Sequence, residues 1–142
     1  MAVTPNSFIT PQGYRNAVVN FVGTTDPAGT AKVVVTGGTN GSWVQALIAT
    51  NGATAHNVAL LITNGGTDYI INEIAVAANV GQNGTALPQD MLSPVVGPNY
   101  VLDGNGNRMI YLGGTADALR AKYATAQGTA DTLTLLALVG DL

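Results

Sequence analysis

The sequence predicts a single all-β domain, a sandwich or barrel of about eight antiparallel strands, and three observations lead there. Short runs rich in Val, Ile, Leu, Thr and Tyr recur along the chain, clusters of Gly, Asn, Asp and Pro separate them, and helix signals are weak. At 142 residues the length suits one domain, and no repeat of fixed period or linker divides it.

Taken in order, residues 1–16, MAVTPNSFITPQGYRN, carry Pro5 and Pro11 and show no periodicity. Proline fixes φ and pushes its predecessor into extended backbone, so this segment reads as an extended N-terminal arm ahead of a sandwich domain at 17–142. Phe8 and Ile9 are apolar residues on the arm and are expected to dock, on the parent domain or on a neighbouring subunit. Strands are expected at 17–22, 32–36, 42–50, 57–63, 67–76, 109–112, 119–125 and 132–139. Gly37 to Gly41, Asn51-Gly52, Asn64-Gly65-Gly66 and Asp103 to Gly106 supply residues tolerant of positive φ, as tight hairpins demand.

Two segments compete with this pattern. Residues 119–123 contain good helix formers, but Leu119, Ala121 and Tyr123 alternate with Arg120 and Lys122, the period of a half-buried strand. Residues 77–98 form one long irregular connection, with a single helical turn expected at 88–92, opened by Pro88 and closed before Pro94. Its Leu87, Met91, Leu92, Val95 and Val96 read as a loop packed across a surface. Residues 132–139 are nearly continuous in apolar side chains, which marks a strand buried on both faces or one whose outer face meets a partner.

The residues exclude most chemistry. Without cysteine there are no disulfides, thiolate nucleophiles or thiolate metal sites, and His56 is the single histidine. Ser7, Ser42 and Ser93 lie in no Gly-x-Ser-x-Gly elbow, and the glycine pairs lack the Lys-Ser/Thr of a phosphate loop. Asp103, Asn105 and Asn107 resemble the opening of a calcium loop, but Arg108 and Gly114 stand where its Gly and its bidentate Glu belong. No enzyme, metal or cofactor is therefore expected.

Only 9% of residues are charged, against about 25% in an ordinary soluble domain, and 17 Thr, 13 Asn and 18 Gly make up much of the polar exterior. Such a surface defends poorly against association and points to work inside an assembly. A net charge of −3 with five Lys and Arg cannot supply the phosphate contacts of nucleic-acid binding. Apolar runs such as 58–62 are too short to span a bilayer, and the first residues lack the basic and apolar regions of a signal peptide, so cytosolic synthesis without membrane contact is expected. Arg120 and Lys122, with Arg108, concentrate basic charge that meets either an acidic partner or water.

Several short motifs together resemble small virion proteins of tailed bacteriophages, in particular capsid cement or head-decoration proteins. They are Met1 to Ser7 with Ile9 to Gln12, the Gly38 to Ser42 turn leading into 44–50, Ala55 to Val58, the Leu102 to Asn107 turn, and Gly140-Asp141-Leu142. The resemblance implies a jelly-roll-like β-sandwich on the capsid exterior that joins major capsid protein subunits and self-associates as a dimer or trimer. The expected partner-binding residues are Phe8, Ile9, Leu87, Met91, Leu92, Arg120 and Lys122. The alternative is a carbohydrate- or receptor-binding module of a tail or fibre, using Trp43, Tyr69, Tyr100 or Tyr111 as stacking rings.

Overall fold

A computed structural model describes residues 11–82, 84–93, 100–102, 105–125 and 131–142. Its strands are β1 (Gly13–Val22), β2 (Lys32–Thr36), β3 (Ser42–Asn51), β4 (His56–Asn64), β5 (Thr67–Val76), β6 (Gln89–Asp90), β7 (Tyr100–Leu102), β8 (Arg108–Leu112), β9 (Ala118–Tyr123) and β10 (Thr132–Asp141). One sheet of six strands runs β1-β10-β3-β8-β7, with β6 also paired to β3, and a sheet of four runs β2-β9-β4-β5. Every pairing is antiparallel.

Except for the β4–β5 hairpin, each step between the eight main strands crosses from one sheet to the other. The resulting order, first-last-third beside second-ninth-fourth-fifth, is the double Greek key of a jelly roll. Alternation explains the core. Val19 and Phe21 of β1, Leu133, Leu135, Ala137 and Val139 of β10, and Leu119, Ala121 and Tyr123 of β9 turn inward and are buried between the sheets. The β9 residues are those whose alternation argued against a helix.

Local chemistry sets the joints. Gly65 and Gly66, with φ of 58° and 83°, close the β4–β5 hairpin between the paired Asn64 and Thr67, as a two-residue turn of the mirror-image type requires. In β3 the register with β10 slips by one at Gln45, so Val44 and Leu47, three residues apart, are both buried.

Three expectations change. Residues 88–92 form no helical turn: Gln89 and Asp90 pair with Ala49 and Ile48 of β3, and the Met91 N–H donates to the Leu47 carbonyl at 2.8 Å. The connection across 77–98 is therefore interrupted by β6, and its Val80, Met91 and Leu92 belong to the core. Gly13 to Asn16, assigned to the arm from the sequence, open β1 and pair with Asp141 to Leu138. Phe8, Ile9, Val95, Val96 and the Asp103-Gly104 start of the calcium-like turn lie outside the described residues.

Candidate interaction surface

The outer face of the six-stranded sheet is built by the residues that alternate with the core on β1, β10 and β3. Register aligns them in rows: Asn20–Thr134–Thr50, Val18–Leu136–Ile48, Asn16–Leu138–Ala46, and Tyr14–Gly140–Trp43 extended to Tyr111 of β8. Val18 (60%), Tyr14 (64%), Tyr111 (44%) and Leu138 (39%) keep large apolar side chains in solvent. The polar members are neutral, and the Thr134 hydroxyl donates to Asn20 Oδ1 at 2.7 Å.

No outward position on β1, β10 or β3 is charged. The charged residues of these strands, Arg15 and Asp141, face the other way and pair at 2.7 Å at one end of the sandwich. Arg15 Nη2 also donates to the Thr36 carbonyl of β2, tying the two sheets together. The Arg15 guanidinium, helped by the Ser42 hydroxyl, holds the Asp141 carboxyl below the ordinary range.

Trp43 and Tyr111 form a cross-strand pair, centroids 4.8 Å apart and planes inclined by 46°. Between Tyr14 and Trp43 the row is Gly140, and Pro11 covers it. A Cβ there would meet the Pro11 ring at 2.8–2.9 Å, so the chain enters the domain lying over this face. A groove of about 470 Å³ adjoins, walled by Gln45, Ala46, Ile48, Asp90, Leu92 and Arg108 among others. It exists because β8 pairs with β3 at Ser42–Val44 and β6 pairs at Ile48–Ala49, leaving the bulge uncovered. Arg108 Nη1 donates to the Ser93 carbonyl at 2.6 Å.

Two further ion pairs form within the chain, among the described residues. Lys32 pairs with Asp26 at 3.0 Å and Arg120 with Asp68 at 2.8 Å. Asp26 is held below the usual carboxylate range first by the Val22 N–H and then by Lys32, and Asp68 first by the Thr63 hydroxyl and then by Arg120.

The predicted contact residues do not converge. Met91 and Leu92 are buried at 0% and 3% exposure in their own core, Leu92 also forming part of the groove wall. Leu87 is 87% exposed. Arg120 and Lys122 lie on β9, on the outer face of the other sheet, and Arg120 is engaged by Asp68 and the Ala31 carbonyl. Of the aromatic candidates, Trp43 and Tyr111 meet and Tyr69 stands on the opposite sheet. Of the candidate serines, Ser42 bonds Asp141 at the start of β3, and Ser7 lies outside the described residues. His56 is buried near the far end of β3, where Asn51 Nδ2 reaches the carbonyl of Val76, the residue paired with His56. A ten-residue strand spans roughly 30 Å.

Sequence reasoning missed the uncharged face itself. Its one signal was the apolar run of β10, read as buried on both sides or partner-facing.

No protein-family model and no curated protein matches the chain. Among solved structures it is similar to a chain of the cyanophage Pam1 capsid asymmetric unit, at 15% identity over 100% of this chain and 94% of that one, with a TM-score of 0.46. It is also similar to a pentameric capsid protein isolated from metagenomic phage sequences, at 13% identity over 95% of this chain and 64% of that one, with a TM-score of 0.36. The jelly-roll assignment rests on the strand order and not on these likenesses.

Proposed function

We propose that the chain is a structural virion protein that binds the outside of a phage head and cements the major capsid lattice, with the outer face of the six-stranded sheet against the shell. The carrying observation is that face: three long adjacent strands without an outward charge, yet with Val18, Leu138 and Tyr14 in solvent. A surface that sets apolar side chains among neutral polar groups suits a protein interface, and the charged Asp90 and Arg108 stand only at its margin, by the groove. The charge-poor composition and the motifs shared in style with tailed-phage virion proteins support the same reading. Cementing follows if the protein binds assembled shell in preference to free subunits, because each bound copy then shifts the assembly equilibrium.

The test is rebinding. Purified protein added to heads stripped of it is expected to restore occupancy and raise their melting temperature, and Leu138→Lys, which puts a charge in the centre of the face, is expected to abolish both. Binding to tails and not to heads would refute the reading.

A second reading has one observation in its favour. Tyr14, Trp43 and Tyr111 share a row, the setting of a glycan-stacking module. The 46° inclination of Trp43 to Tyr111 makes this a corner and not a flat platform, which favours protein contact. A glycan array, with Trp43 fluorescence as readout, separates the two.

A further inference from the structure

One edge strand of the four-stranded sheet is β5, which pairs only with β4; the other is β2, whose Thr36 carbonyl accepts from Arg15 of the facing sheet. A bare strand edge is a template for another strand, and half of the β5 edge is closed by the chain itself. Gln89 Nε2 donates to the Ala75 carbonyl at 2.8 Å and Gln89 Oε1 accepts from the Ala77 N–H at 3.3 Å, so one amide fills the place of a neighbouring strand. The Glu73 N–H donates to Asn72 Oδ1 at 2.8 Å.

The other half, residues 67–71, has no such cover among the described residues. The hairpin closes at the Asn64–Thr67 pair, and antiparallel alternation from there turns the N–H and C=O of Asp68 and Ile70 to the free edge. Tyr69 (57%) and Ile70 (60%) are exposed, and neither Lys nor Pro guards the stretch. Its charge, Asp68, is neutralised by Arg120.

We propose that this half-edge pairs antiparallel with the same half-edge of a second copy, across a two-fold axis at Tyr69, joining two four-stranded sheets into one. The occupant is a second copy because the stretch is self-complementary. With the axis at Tyr69, Asp68 stands opposite the partner's Ile70, and each such pair exchanges two backbone hydrogen bonds. The two Tyr69 rings face one another in the closer, non-hydrogen-bonded position. No carboxylate meets a carboxylate. The register slip at Ile71 and the Gln89 cap stop the pairing there, so the contact closes as a dimer and does not run on as a fibre. The inference is independent of the capsid reading, since it uses the other sheet.

Sedimentation equilibrium of the full chain across the micromolar range tests it. The wild type is expected to show a reversible monomer–dimer equilibrium. Tyr69→Lys and Tyr69→Glu are each expected to weaken it by more than about tenfold, since like charges oppose across the axis, with unchanged circular dichroism. An equimolar mixture of the two is expected to recover a heterodimer. Ile70→Pro, which removes only an N–H directed to the edge, is expected to give a folded monomer and serves if a Tyr69 variant misfolds. A wild type that stays monomeric, a dimer indifferent to these changes, or a mixture that fails to reassociate would overturn the proposal.

Discussion

Tyr123 shows how a single polar atom is held in this core. Its ring packs edge-on to Phe21 at 5.5 Å and against His56 at 5.1 Å, while its hydroxyl, like both ring nitrogens of His56, is buried without a hydrogen-bond partner. Desolvation raises the hydroxyl to about 12 from a usual value of about 10. The ring contributes packing and the oxygen contributes a cost, so Tyr123→Phe is expected to leave stability unchanged or raise it by about 1 kcal/mol, read as the urea midpoint. It should also remove the loss of stability that the wild type suffers between pH 10 and 12, since a group raised in the folded state favours the unfolded chain once the latter ionises. At the acid end the sign reverses. Asp26, Asp68 and Asp141 are lowered in the fold, so their contribution is present above the unfolded value of about 4 and is lost as pH falls through the folded values. Melting temperature is expected to drop below about pH 4, and Arg15→Met is expected to make that drop shallower by releasing Asp141.

At the scale of the element, β10 separates burial from contact within one strand. Leu135 is fully buried and Leu138 is 39% exposed on the other face. Leu135→Ala is expected to cost about 2–5 kcal/mol in chemical denaturation, whereas Leu138→Lys, the change expected to abolish the proposed head binding, is expected to change stability by no more than about 0.5 kcal/mol. The eight main strands were legible because each is long enough to show its period and is bounded by residues that turn the chain. β6 and β7, of two and three residues, have no period to read. The first four residues of β1 escaped notice because Gly13, Arg15 and Asn16 pair through their backbone and through Arg15–Asp141, without alternating apolar side chains. Met91 and Leu92 read as partner-facing because apolar residues in an irregular segment look alike whether their cover is the chain's own core, as here, or another protein.

For the whole molecule, low charge was visible at once, but its distribution was not. The uncharged face arises from strands far apart in sequence, such as Val18 beside Leu136 and Leu136 beside Ile48, and no local pattern reports that register. The consequence is measurable. Strands β1, β10 and β3 offer no outward charge for salt to screen, so under the proposed docking the affinity for stripped heads is expected to change less than about threefold between low and high salt, where a charge-steered partner would lose orders of magnitude. An isothermal titration series in sodium chloride checks this.

Among the ten strands of the described residues, β10 is synthesised after the other nine, yet it lies between β1 and β3 in the middle of its sheet. While the ribosome is still making it, β1 has no neighbour and β3 lacks one, and the apolar residues of both lie open. The molecule is therefore assembled by late insertion of a keystone, not by growth from one side. Its period of greatest vulnerability to aggregation falls while β10 is still to emerge, when a chaperone or a nearby assembly site has most to offer.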